Sequence, residues 1–192
     1  TYVPAAATDP GHTVEVNVAA AARLLGEVRA RRRAGTLDPV VLVVGSAEQY
    51  GRHAPADLPL RESAEQRPHS VYAATKVGQE AIALEAFRAD GVRVIAARSF
   101  NHSGPGQHPR FLLPALVGRA LALRAAPPSP GTRPALRMGN QDSVRDYLHV
   151  SDVVDAYIAL AERGAAGEAY NVASGAGTSA GTLARRILAR LA

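Results

Sequence analysis

Val40-Val41-Leu42-Val43-Val44 is an unbroken apolar run, closed by Gly45. A run without polar alternation fits a strand buried on both faces, as in parallel sheets. Such a strand needs helices to cover it, and its sequence neighbours supply them. Upstream, Val14, Val18, Ala21, Leu25 and Val28 recur at the helical period to about Arg33, with Thr13 as expected cap and Gly35 as stop. Asn17 interrupts that face and is either a satisfied polar neighbour or a site residue. Downstream, Tyr72 to Asp90 reads as an amphipathic helix, with Val77, Ala81 and Leu84 apolar and Glu80, Glu85 and Arg88 interleaved. Asp90-Gly91 ends it, and Val92 to Ala97 follows as a second strand. Strand, helix and strand with short connections define an α/β fold with a parallel sheet.

The remaining segments are read by the same signals. Thr1 to Thr13, with Pro4, Pro10 and Gly11, is expected to be loop, as are residues 52–70, broken by Pro55, Pro59 and Pro68. A helix is expected from about Arg110 to Arg124, then a Pro-rich connection from Ala125 to Pro134. Ala135 to Met138 reads as a short strand and Gly139 to Asp142 as a turn. Ser151 can cap a helix to about Arg163, Ala169 to Val172 looks like a strand, and Thr178 or Ser179 opens a last helix to Leu191.

Composition removes several classes of function. A hydrophobic fraction of 47% is ordinary for a core-forming protein. No apolar run approaches twenty residues and no charged-then-apolar leader opens the chain, so neither a membrane partner nor a signal peptide is expected, and the setting is read as cytoplasmic. With no cysteine, disulfides, thiolate metal sites and cysteine nucleophiles are excluded; no metal site is expected. The net charge of +5 suggests nucleic acid, but aromatics make up only 5% and no basic-aromatic strip occurs. The densest basic cluster, Arg29 to Arg33, ends a helix, where the dipole favours cations. Nucleic acid is therefore set aside as a partner. Scattered arginines also suit an anionic small substrate.

The chemistry gathers around Tyr72 and Lys76. Lys76 is the only lysine in the chain; every other cation of its class is arginine. A compact ammonium four residues after a phenol shares its helix face, favours the phenolate and is expected to pull the tyrosine pKa down. That gives a proton donor and acceptor near neutral pH. The plainer alternative is a helix-start tyrosine beside an exposed lysine. Ser46 and Glu48 follow the first strand at its carboxyl end, where open α/β sheets bind ligands. They stand equally as parts of an ordinary turn. Arg98 to Gln107 forms a second polar stretch at a second strand end.

Taken in order, these residues resemble the extended short-chain dehydrogenase/reductase family, the NAD(P)-dependent sugar-nucleotide epimerases, dehydratases and reductases. The carrying motifs are Gly45-Ser46-Ala47-Glu48-Gln49-Tyr50-Gly51, Arg67-Pro68 through Tyr72-Ala73-Ala74-Thr75-Lys76, and Arg98 through Gln107. Arg145-Asp146 with Val150-Ser151-Asp152-Val153-Val154, and Tyr170-Asn171-Val172-Ala173-Ser174-Gly175, complete them. Asn101 to Gln107 with Gly139-Asn140 is most similar to the GDP-mannose 4,6-dehydratase and GDP-4-keto-6-deoxymannose reductase branch. The resemblance implies the C-terminal part of a Rossmann-type doubly wound parallel sheet with a small mixed α/β substrate-binding region. Residues 1–103, completed by about 140–165, would be a partial NAD(P)-binding domain; residues 104–139 and 166–192 would bind substrate. The family's Gly-rich pyrophosphate turn has no match here, and the chain aligns from roughly the fourth helix of the usual domain. It is expected to be a fragment, or to have the adenosine half of its cofactor site supplied elsewhere or absent.

The resemblance also assigns roles. Tyr72 would exchange a proton with the sugar O4, Ser46 would hydrogen-bond that oxygen, and Lys76 would hold the nicotinamide ribose. Phe100 and His102 would lie at the nicotinamide of NADP or NAD. Asn101 and Arg145 would hold the sugar-nucleotide diphosphate. Glu48 would take the C5 proton in a 4,6-dehydratase and only orient its loop in a 4-reductase. The first place of the Asp-Glu pair of dTDP-glucose dehydratases holds Ala47. The implied function is reduction of a GDP-6-deoxy-4-keto-hexose, with a GDP-mannose 4,6-dehydratase as one alternative and a non-catalytic remnant that binds a nucleotide sugar or a partner as another. A homodimer through the helices at Val14–Arg33 and Tyr72–Asp90 is expected.

Overall fold

The computed structural model describes residues 3–125 and 135–191; most of the Pro-rich connection lies outside them. The chain divides into two compact units, one running through Phe100 and resuming over Ser151–Val172, the other made of Asn101–Val150 and the residues from Ala173 on.

The first unit opens with helix rather than loop: α1 (Val3–Thr8) and α2 (Pro10–Val14), a π-helical turn (Glu15–Ala19), then α3 (Ala20–Arg33). Asp9, not Thr13, is the cap. Its carboxylate accepts the His12 N–H at 3.0 Å, and Pro10 fits the first helical position because its missing N–H is not needed there. The π turn rotates Asn17 inward to 6% exposure, where its amide donates to Thr75 Oγ1 at 2.9 Å. Asn17 is thus a bonded neighbour in the helix layer.

Strands β1 (Val40–Val44), β2 (Arg93–Ser99) and β5 (Ala169–Val172) form a parallel sheet in the order β1-β2-β5, with Val40 opposite Arg93 and Ala97 opposite Tyr170. The central strand is β2, and Val94 to Ser99 are all buried. β1 was expected to be buried on both faces. Among the described residues it pairs only with β2, so only Val43 is buried and Val44 stays 40% exposed. Between the two strands runs α4 (Val71–Asp90). Ser70 Oγ caps it by accepting the Ala73 N–H at 3.1 Å. Gly91, at φ +67°, ends it: its own amide and that of Val92 turn back to the carbonyls of Phe87 and Ala86. Leu25 and Val28 of α3, Val43, Ala83 and Ala86 of α4, and Val92 and Val94 form one apolar core. Helix α6 (Val150–Arg163) joins this unit from Ser151 on.

The second unit holds β3 (Asn101–Ser103), β4 (Val144–His149) and β6 (Gly177–Ser179), with β4 parallel to β3 and antiparallel to β6. Helices α5 (Leu112–Ala125) and α7 (Ala180–Leu191) pack on each other. Asp146 on β4 ties down the turn before β6, accepting from Ser174 N at 3.1 Å, Ser174 Oγ at 2.8 Å and Gly175 N at 2.7 Å. The strand expected at Ala135 to Met138 is irregular backbone, without a ladder partner among the described residues. The division also differs from the one expected. Residues 169–172 belong with the first unit because β5 pairs with β2, and β4 belongs with the second because it pairs with β3 and β6.

Candidate active site

At the carboxyl end of β1 the chain turns at Gly45 into a short 3-10 turn, Ala47–Gln49. Ser46 caps that turn. Its Oγ accepts the Glu48 N–H at 3.2 Å, which occupies a lone pair and leaves the hydroxyl proton to point elsewhere. Ser46 lies close enough to the phenol of Tyr72, the second residue of α4, for its hydroxyl to favour the phenolate. Residues far apart in sequence are brought together because β1 ends and the capped helix α4 begins at this end of the sheet.

Electrostatics here reverse one expectation. Burial pushes the Tyr72 pKa up; the Ser46 hydrogen bond opposes this, while Glu48 and the phenol of Tyr157 add to the rise. The net direction is upward, so Tyr72 is a protonated phenol at neutral pH. Lys76 does not set it. Its Nζ donates instead to the Val44 carbonyl at 2.8 Å and to Gln79 Oε1 at 2.9 Å. Burial lowers the Lys76 pKa. An ammonium has three donors, and these two bonds occupy two of them. Phe100 follows the end of β2 in the same unit, its amide donating to the Val172 carbonyl at 3.0 Å and its ring 6.4 Å from that of Tyr50. Asn101 and His102 are exposed on β3, and Arg145 is exposed on β4, where its Nη1 donates to the Val144 carbonyl at 2.8 Å. All three belong to the second unit.

Sequence reasoning passed over several residues around this centre. Glu80, read as an outer polar position of α4, is 3% exposed. It receives Arg98 through two bonds, Nη2 to Oε1 at 2.6 Å and Nε to Oε2 at 3.0 Å, together with the amides of Gln49 at 2.7 Å and Gln66 at 2.9 Å. Arg98 also donates to the Tyr50 hydroxyl and the Glu62 carbonyl, both at 2.8 Å, and Tyr50 donates on to Asn171 Oδ1 at 2.7 Å. Tyr157 on α6 shares a 2.5 Å hydrogen bond with Ser99. One signal was available: Ser46 and Gln49 are spaced as a capping box. Tyr157 and the Glu80–Arg98 pair come from separate elements, and no local pattern joins them.

This edge of a parallel sheet, with a serine-aligned phenol and a lysine one turn on, has counterparts among known proteins. The chain belongs to the NAD dependent epimerase/dehydratase family, which its residues 1–173 match. It is 39% identical over 175 residues to the GDP-6-deoxy-D-mannose reductase of Pseudomonas aeruginosa, covering 91% of this chain and 55% of that protein. A UDP-glucose 4-epimerase of Azospirillum brasilense is 34% identical over 163 residues, which is 81% of this chain and 45% of the epimerase. The chain thus spans about half the length of the curated relatives it matches. Among solved structures, RMD from Pseudomonas aeruginosa complexed with NADPH superposes with a TM-score of 0.83 at 34% identity, over 96% of this chain and 60% of that one. DesIV, a dTDP-glucose 4,6-dehydratase from Streptomyces venezuelae with NAD and TYD bound, gives 0.80 at 29% identity, over 100% of this chain and 54% of that one. Among the described residues no helix is long and apolar enough to cross a membrane.

Proposed function

We propose that this chain carries the proton-transfer site of an NAD(P)-dependent sugar-nucleotide enzyme, and that its reaction is reduction of the 4-keto group of a GDP-linked 6-deoxy-4-keto-hexose. The observation that carries this reading is the Ser46–Tyr72 pair: a protonated phenol, its pKa raised further by burial, beside a hydroxyl whose lone pair is tied to the Glu48 amide. Reduction of a ketone needs a proton donor at the oxygen, and Tyr72 is in that state. When bound, the reduced nicotinamide supplies hydride to C4. Tyr72 gives its phenolic proton to O4, and Ser46 turns its one hydroxyl proton from the phenol to the same oxygen as negative charge develops there. Lys76 uses its remaining N–H on the ribose hydroxyls. The cofactor is NADP or NAD: of the structures similar to this chain, RMD is complexed with NADPH and DesIV has NAD bound. From the family resemblance, Phe100 and His102 serve the nicotinamide end. Asn101 and Arg145 take the diphosphate, where a guanidinium fork suits two phosphate oxygens. Two copies pair through the outer helical layer; Val14, Val16 and Leu24, 46%, 48% and 58% exposed, support that surface.

A 4,6-dehydratase is the second reading, favoured by Glu48, which lies near enough to Tyr72 to raise its pKa and could take a C5 proton. A non-catalytic role, binding a nucleotide sugar or a partner without turnover, is the third. The assay is NADPH consumption at 340 nm with GDP-4-keto-6-deoxymannose. Turnover is expected, reduced about 100-fold or more in Tyr72→Phe because a positioned acid is worth about 10²–10⁴ in rate. A 4-keto product from GDP-mannose and NADP would favour the dehydratase instead. NADPH binding by calorimetry without turnover of either sugar would leave the binding role.

A further inference from the structure

Ser46 is oriented by more than its own turn. Its backbone N–H donates to Gln49 Oε1 at 2.7 Å, and the other end of that amide, Nε2, donates to Glu80 Oε2 at 2.7 Å. An ionised carboxylate only accepts, so the Gln49 amide has a single orientation, nitrogen to Glu80 and oxygen to Ser46. Gln49 is fully buried, and a Cβ at Gly45 would stand 2.4 Å from its Oε1, so glycine alone leaves room for this arm. Glu80 is held in turn by the two-bond contact from Arg98 and by Gln66. A buried network with its partners satisfied has one arrangement. Glu80 and Tyr72 ride on the same helix, α4. The bonds therefore measure the position of Ser46 from the element that carries the phenol.

We propose that Gln49 and Glu80 are positioning residues that hold Ser46 in register with Tyr72. The proposal rests on the reading of Tyr72 as the proton donor, yet it makes a claim that can be checked without any substrate. A capping box that only stabilised its own turn would leave the phenol indifferent to Gln49.

The experiment is an NMR pH titration of the chain carrying ¹³C at tyrosine Cζ, with Tyr72→Phe assigning the resonance. Besides Ser46, the phenol is faced by Glu48 from the turn and Tyr157 from α6, with Lys76 one turn further along α4. Ser46→Ala removes a hydrogen bond that favours the phenolate, so the Tyr72 midpoint moves up. In a Gln49→Met background that same substitution is expected to move it much less, because Ser46 has already left its place. Glu80→Gln, isosteric and one charge poorer, is expected to do the same, and carries the comparison should Gln49→Met fail to fold in a thermal melt. A full-size Ser46→Ala shift in either folded background overturns the proposal. A chain without reductase activity whose shift is lost in these backgrounds refutes the proposed reaction and leaves the positioning role intact. An active enzyme with a full-size shift refutes the positioning role alone.

Discussion

Glu80→Ala is the sharpest test of how the site edge is held. The substitution strips Arg98 of the acceptors for Nε and Nη2, and leaves Gln49 Nε2 and Gln66 Nε2 without theirs. Arg98 is 6% exposed, so water cannot take over at low cost. Removing one partner of a buried ion pair costs about 3–5 kcal/mol, a large share of the roughly 5–15 kcal/mol that holds a domain together. With a urea slope of about 2 kcal/mol per molar, the midpoint should fall by about 1.5–2.5 M, read by far-ultraviolet circular dichroism at pH 7. The double variant Glu80→Met with Arg98→Met should recover more than half of the loss, because both charges leave together. A loss below about 1 kcal/mol, the range of exposed pairs, would refute the reasoning, as would a double variant less stable than the single. The pH dependence has a definite sign. Burial pushes the Glu80 pKa up, but the hydrogen bond and charge of Arg98 and the amides of Gln49 and Gln66 outweigh it, so the folded value lies below the ordinary one. Its contribution is present in full above the unfolded-state pKa and is lost as pH falls through the folded value. The Glu80→Ala chain should lack that part of the acid limb.

Four further outcomes are expected. Gly51 sits at φ +68°, and a Cβ there would lie 1.9 Å from the Arg67 carbonyl oxygen; Gly51→Ala should therefore cost about 3 kcal/mol or more, and an unchanged thermal midpoint would contradict it. If the reaction is ketone reduction, the rate should hold through neutral pH and fall on the alkaline side as the raised Tyr72 phenol loses its proton. Glu48→Gln removes one of the groups that raises that phenol, so the alkaline limb should move to lower pH, and movement the other way would rule out the assigned electrostatics. In the second unit, Asp146→Ala removes the acceptor of the Ser174 and Gly175 amides, whose hydrogen exchange should speed up by about tenfold while α7 keeps its protection.

The sequence determined whatever depends on near neighbours. The Val40–Val44 run, the stop at Gly91 and the period of Tyr72 to Asp90 were enough for a parallel α/β core, and the spacing of Tyr72 and Lys76 marked the candidate site; Ser151, expected as a cap, lies inside α6. It misread the start of the first helices, where Asp9-Pro10 is a stronger cap than Thr13. It also misread the sense of the Tyr72 shift. The spacing of four puts an ammonium near the phenol, but burial depends on everything packed around the ring, and Lys76 finds Val44 and Gln79 closer to hand. The Gln49–Glu80–Arg98 chain was beyond local reading altogether. Its members come from a turn, a helix and the central strand, and a carboxylate can be placed in an apolar layer only where folding delivers its partners from all of them at once.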